Sequence, residues 1–313
     1  MSDFQPGSST RRTQRHHMAS HPTMEALMRV LRTIHASSAS MDLERQRRGQ
    51  ELLGKLMAPP LGIRYWDFSV GHVACEWARP ARHRNPERIL LYCHGGGYTS
   101  GNLGYARTIA SKLAQETRRE VLSFDYRLAP EHHYPAPLED ALLVWEHLLS
   151  TGHLPAHITL VGDSAGGNLA LALCHRLKET GRLLPGGLVL FSPWTDMTLS
   201  GASYTERAKL DPMLSMDYIS AMRAAYAPHG DYTSPLLSPL LGDFTRFPPT
   251  LVQVGSHEIL LSDAVALRDR MVRAGVFCQL EVWKDMWHVF QMFPLRRAAR
   301  AIRHVGDFIA RLD

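Results

Sequence analysis

The stretch Leu160-Val161-Gly162-Asp163-Ser164-Ala165-Gly166-Gly167-Asn168-Leu169-Ala170 constrains the fold of this chain more than any other. A β-rich run, His157 to Val161, leads into it, and a helix-forming run, Asn168 to Leu177, leads out. Between them lies Gly162-x-Ser164-x-Gly166, and strand, sharp turn, helix is the context in which that spacing carries chemistry. A serine at the tip of such a turn needs neighbours without bulk, so that backbones approach closely and its hydroxyl stands clear. The helix that follows aims free N–H groups at the hydroxyl, where they favour developing negative charge. The plainer alternative is a glycine-rich turn with an incidental serine, and the rest of the chain decides between the two.

Strand and helix patterns alternate through most of the sequence. Residues 1–20 read as a disordered tail, and two helical patterns follow, Pro22 to His35 and Met41 to Met57, the second stopped by Pro59-Pro60. Within residues 21–60 these helices are placed to form part of a cap. Gly62 to Val70 and His72 to Trp77 read as a hairpin, and Arg88 to Cys93, Arg119 to Asp125, His157 to Val161, Gly187 to Phe191, Thr250 to Gly255 and Phe277 to Trp283 as further strands. Helices are expected at Arg107 to Gln115, Leu138 to Ser150, Ser262 to Ala274 and Leu295 to Leu312. This order predicts an α/β fold: a mostly parallel eight-stranded sheet with helices on both faces and an antiparallel edge. The catalytic domain is expected over 61–195 and 249–313, interrupted by an irregular, proline-containing insertion at 196–248. Ligands bind beyond the carboxyl ends of parallel strands, where the serine turn falls.

Composition narrows the function. With 45% hydrophobic and 21% charged residues among 313, the chain reads as a soluble globular protein. No run approaches the roughly 18 apolar residues that span a bilayer, so no stable membrane insertion is expected. The polar N-terminus does not read as a secretory signal. Cys75, Cys93, Cys174 and Cys278 are widely spaced, which fits reduced packing residues in a cytoplasmic protein and no metal site. The net charge of +5 is concentrated in arginines such as Arg11, Arg12, Arg15, Arg45, Arg47 and Arg48, without interleaved aromatics. A solvated tail explains Arg11, Arg12 and Arg15, and no nucleic-acid partner is expected.

A serine hydroxyl attacks only when a base takes its proton, a third group orients that base, and N–H donors receive the oxyanion. His94-Gly95-Gly96-Gly97 follows a strand and precedes the serine, with no lysine or G-x-G-x-x-G spacing to suggest a nucleotide loop. Gly96 and Gly97, with Ala165, are the candidate oxyanion donors.

These motifs, together with Asp125-Tyr126-Arg127-Leu128-Ala129-Pro130-Glu131, resemble the hormone-sensitive-lipase-like branch of the α/β-hydrolases, the family IV esterases, over residues 60 to 312. The resemblance implies a serine hydrolase of short- to medium-chain carboxylic esters, with no cofactor and a small-molecule ester as its partner. It implies a helical cap from the N-terminal helices and the insertion, and family members often form homodimers through an edge strand. The family's usual D-P-L-x-D block is replaced by Gly255-Ser256-His257-Glu258-Ile259-Leu260-Leu261-Ser262-Asp263. Counting back from Ala274-Gly275-Val276, Glu258 occupies the place of the catalytic aspartate, and Asp263 is read as a helix-start charge. After Glu258 the histidines are His288 and His304; His288, just past the last strand, is the candidate base, with Val289 where the family has glycine. His304 reads as a surface residue of the last helix. Tyr126, Arg127 and Glu131 are read as supports of the glycine loop, His94 as a residue that shapes it, and Asp163 as one that orients the serine turn. Amide or lactone hydrolysis by the same triad, and a non-catalytic binding protein on the same fold, are the alternatives.

Overall fold

A computed structural model describes residues 26–33, 43–44, 47, 62–83 and 85–313. The expected tail, most of the second N-terminal helix and its Pro59-Pro60 stop lie outside these residues. Eight strands form one sheet: β1 (Ile63–Val70), β2 (Val73–Pro80), β3 (Ile89–Cys93), β4 (Val121–Phe124), β5 (Ile158–Asp163), β6 (Gly187–Phe191), β7 (Thr250–Gly255) and β8 (Cys278–Trp283), in the order β1-β2-β4-β3-β5-β6-β7-β8. The β1–β2 and β2–β4 pairs are antiparallel and the others parallel. The main helices are α1 (Leu103–Thr117), α2 (Ala136–Ser150), α3 (Ala165–Glu179), α4 (Ser203–Glu206), α5 (Met216–Tyr226), α6 (Leu261–Arg273) and α7 (Arg296–Ala310).

Strand alternation divides the core into two layers. In β3, Ile89, Leu91 and Cys93 face one layer and Leu90 and Tyr92 the other. The first layer takes in Leu160, Leu188 and Leu190 with apolar residues of α2, α3 and α6; the second takes in Val161, Val189 and Phe191 with those of α1 and α7. Side chains of successive strand residues point to opposite faces, so a strand covered on both sides is apolar throughout. The five residues of β3 and the six of β5 are all buried.

Helix limits departed most from expectation around glycine and asparagine. α3 begins at Ala165 instead of Asn168, because Gly166 and Gly167, poor helix formers, are needed for close approach. A Cβ on Gly166 would lie 2.0 Å from the Cys93 carbonyl oxygen. α1 starts at Leu103 rather than Arg107, since the Asn102 side chain accepts the Tyr105 N–H (3.0 Å) and caps it.

In the insertion, α5 buries Ile219, Met222 and Tyr226 along one stripe. Tyr226 stacks on Tyr98 at 3.8 Å, placing this helix against the glycine loop. Met197 of the insertion is wholly buried in the core. The segment 26–33 is helical; its Leu31 is buried in the second layer, and the Arg32 guanidinium reaches the carbonyls of Lys209 and Leu210.

Candidate active site

The strand order reverses between β4-β3 and β3-β5, and that is where the glycine loop and the serine turn meet. Cys93 pairs with Gly162, so the loop leaving β3 and the turn leaving β5 emerge side by side. Ser164 has φ 55° and ψ −120°, a sparsely populated conformation that costs a non-glycine residue about 1–3 kcal/mol. The surroundings hold it there: its N–H donates to the Phe191 carbonyl, and its own carbonyl accepts from Gly167, Asn168 and Trp194.

Asp163 does more than orient the turn. Its buried carboxylate accepts the Gly95 N–H (2.8 Å), the Tyr92 hydroxyl (2.6 Å) and the Tyr105 hydroxyl (2.7 Å). Burial pushes this carboxyl up, and the two tyrosine bonds oppose it. The Gly95 N–H is thereby occupied, whereas those of Gly96 and Gly97 meet no acceptor among the described residues. Both glycines have positive φ, 117° and 62°. A Cβ on Gly97 would run into Met222 of α5, and one on Gly96 into the Ser100 carbonyl. Ala165 opens α3, so its N–H has no intrahelical acceptor. The loop therefore leaves three N–H groups, those of Gly96, Gly97 and Ala165, unengaged around the serine turn.

His94 shapes the loop from within. Its ring stacks on Tyr126 at 4.2 Å, and Tyr126 donates to the His94 carbonyl (2.8 Å). Burial holds the imidazole down at about 4, so it is neutral at ordinary pH. Arg127 binds Asp140, and Glu131 pairs with Arg47, which also donates to the carbonyls of Thr99 and Ala129. Arg47 thus ties the N-terminal segment to the chain beyond the glycine loop.

On the other side, Glu258 follows β7 and His288 follows β8. Glu258 is wholly buried, and its Oε2 lies 3.0 Å from His288 Nδ1. Its Oε1 accepts the Ser192 hydroxyl (2.7 Å) and the Gly255 N–H. Burial alone would lower the His288 pKa, but the hydrogen bond and charge of Glu258, joined by Asp211 and Asp163, outweigh it and hold the imidazole above its ordinary range. Asp163, adjacent to Ser164, in turn feels the His288 charge.

Asp263 lies in the first turn of α6, as a helix-start carboxylate, and is fully buried. Its Oδ2 accepts the N–H groups of Thr195 and Asp196, fixing the chain beyond β6. Burial pushes its carboxyl up to about 7. His304 bonds Glu281 (3.0 Å) and stands apart from Glu258.

Three supports escaped the sequence reading. Ser192, with φ 47°, donates to Glu258 and accepts the Val289 N–H (3.1 Å), joining the loops that carry Glu258 and His288. A small polar residue at the strand end, in Phe191-Ser192-Pro193, was its only signal. Lys112 of α1 donates to the carbonyls of Gln291 (2.8 Å), Met292 (2.7 Å) and Phe293 (3.3 Å), just past His288. Burial lowers its pKa to about 8. Asp211, in the insertion, accepts the Ile259 N–H beside Glu258. Neither Lys112 nor Asp211 belongs to a recognisable motif. No cluster of three or more His, Cys, Asp or Glu among the described residues is arranged to hold a metal ion.

A family profile described as alpha/beta hydrolase fold matches residues 90–292. An acetyl-hydrolase of Streptomyces hygroscopicus is 39% identical over 264 residues, 84% of this chain and 86% of that protein. An esterase of Acinetobacter venetianus is 39% identical over 232 residues, 72% and 76% of the two chains. A crystal structure of an esterase from the bacterial hormone-sensitive lipase family superposes with a TM-score of 0.88 at 37% identity, covering 94% of this chain and 99% of that one. The chain belongs to the α/β-hydrolase fold family, among its hormone-sensitive-lipase-like esterases.

Proposed function

We propose that the protein hydrolyses carboxylic esters of short to medium acyl chain length through an acyl-Ser164 intermediate. The observation that carries this reading is the buried His288–Glu258 pair, set at the strand ends that also present Ser164. Ser164 Oγ attacks the ester carbonyl carbon while its proton passes to His288 Nε2. Glu258 holds Nδ1–H and stabilises the imidazolium. The tetrahedral oxyanion receives the Gly96, Gly97 and Ala165 N–H groups, each worth roughly 3 kcal/mol of barrier in comparable sites. His288 returns its proton to the departing alcohol, then activates a water that cleaves acyl-Ser164 and regenerates the hydroxyl. No metal or organic cofactor enters this sequence of steps.

The N-terminal segment and residues 196–248 act in this reading as a cap over the catalytic domain, with Met222 against Gly97 as one wall of the substrate site. The edge strand β8, with exposed Val282 in it, Phe277 just before it and Val272 on α6, supports a homodimer formed along that edge, which a monomer in sedimentation velocity would refute. Among the described residues no helix is long and apolar enough to cross a membrane, and four unpaired cysteines support a cytoplasmic location. A chain-length series of p-nitrophenyl esters, run beside amide and lactone substrates, tests the reaction: turnover greatest on short to medium esters is expected, and turnover confined to amides or lactones would overturn it.

A further inference from the structure

The loop that carries Glu258 is held from the insertion by one buried carboxylate. Asp211 is 6% exposed. Its Oδ2 accepts the N–H of Ile259 (2.9 Å), the residue after Glu258, and its Oδ1 accepts those of Met213 (2.9 Å) and Leu214 (3.0 Å). One carboxylate thus satisfies three backbone donors from two segments far apart in sequence, through charge-assisted bonds stronger than neutral ones. Both segments lean on the base. Met213 packs against the cluster that contains Met286, Trp287 and Val289, the residues flanking His288. On its other side, the carbonyl of Leu210, immediately before Asp211, is met by Arg32 of the N-terminal helical segment.

Electrostatics point the same way. His288 is faced by Glu258 from the loop after β7, Asp211 from the insertion and Asp163 from the end of β5, and all three raise its affinity for a proton. Burial pushes the Asp211 carboxyl up to about 6; His288 counters this and Glu258 adds to it, while the Ile259 and Met213 N–H groups favour the ionised form.

We propose that Asp211 is a positioning residue that clamps the Glu258 loop to the insertion, so that Glu258 meets His288 at bonding distance. This rests on the assignment of Ser164, Glu258 and His288 made above. Asp211 touches no reacting atom. Its role is to couple the seating of residues 209–214 to the geometry of the base.

Asp211→Asn tests this. The amide keeps one acceptor oxygen and replaces the other by a donor, so at one end of the clamp an N–H confronts an N–H. On p-nitrophenyl butyrate the variant is expected to lose kcat by on the order of 10–100-fold with KM little changed, the signature of misplaced chemistry instead of lost binding. The acid limb of its kcat/KM profile is expected at lower pH than in the wild type, a shift that a merely structural residue would not produce. Asp211→Glu keeps the charge but alters the reach, so kcat is expected to fall with the acid limb unmoved. A folded Asp211→Asn protein with wild-type kcat and an unmoved acid limb overturns the proposal. If circular dichroism shows both variants unfolded, hydrogen exchange on the wild type decides: peptides covering 209–215 and 256–261 are expected to exchange together, and exchange of the first with the second still protected overturns the clamp. Ser164→Ala run in parallel separates the two layers of the argument. Turnover there sinks the site assignment, whereas a silent Ser164→Ala beside a normal Asp211→Asn sinks only the role of Asp211.

Discussion

The two halves of the site are built on different principles. The serine half, Gly95–Gly97 with Asp163–Ala165, is fixed chiefly by backbone: positive φ angles, Cβ-free approaches and a helix that starts within one residue of the hydroxyl, with the Asp163 carboxylate tying its two segments together. The Glu258–His288 half is fixed by side chains from elsewhere in the chain: Ser192, Asp211 and Lys112. Backbone constraints tolerate almost no change in residue type, whereas a side-chain brace can be shortened or replaced and leave its loop only loosened.

The largest effects are expected where one reacting residue is removed from either half. Ser164→Ala and His288→Ala are expected to cut kcat/KM by on the order of 10⁴-fold or more, since triad members act as a unit. Near-wild-type hydrolysis of p-nitrophenyl butyrate by either folded variant would falsify the assignment. Glu258→Ala should lose far more activity than Asp263→Ala, because the second carboxylate holds Thr195 and Asp196 and not His288; the reverse order would move the acid.

The next tests set the halves against each other. Gly96→Ala places a Cβ against the Ser100 carbonyl at a φ of 117°, so the donor must move; kcat is expected to fall by about 10²-fold, the cost of one lost oxyanion donor. Ser192→Ala removes one brace and leaves the Gly255 N–H on Glu258, so a loss of roughly tenfold is expected, and a loss equal to that of Gly96→Ala would erase the contrast. The smallest effect is on pH. His288 must be neutral to accept the serine proton, and its pKa is raised, so activity is lost as pH falls through a value above the usual ~6.5. Glu258→Gln removes the dominant raising influence and should move this limb downwards in a kcat/KM profile; an unmoved limb would show that another group titrates.

The contrast also explains what could be read in advance. The succession of strands and helices along the chain, the serine turn and the glycine loop were legible, because apolar runs and glycines mark backbone demands that few other residues meet. Glu258 and His288 were reachable by counting from strand ends. Asp263 does sit in a first helical turn, but that place says nothing of its burial, or of the Thr195 and Asp196 N–H groups it accepts from the chain beyond β6. Asp211 and Lys112 left no trace, since an isolated aspartate and an isolated helical lysine have no period or spacing, and their partners are backbone groups far along the chain.

Helix α1 bears on both halves at once. Tyr105 in its first turn holds Asp163 at the serine turn, and Lys112, seven residues and two turns on, holds the carbonyls just past His288. The helix is therefore a ruler: at 1.5 Å per residue it sets these two attachment points about 10 Å apart along its axis. A single residue inserted between them would swing Lys112 by about 100° around the axis and off its carbonyls, whatever residue was chosen. Between these two positions α1 is expected to accept many substitutions and no change of length.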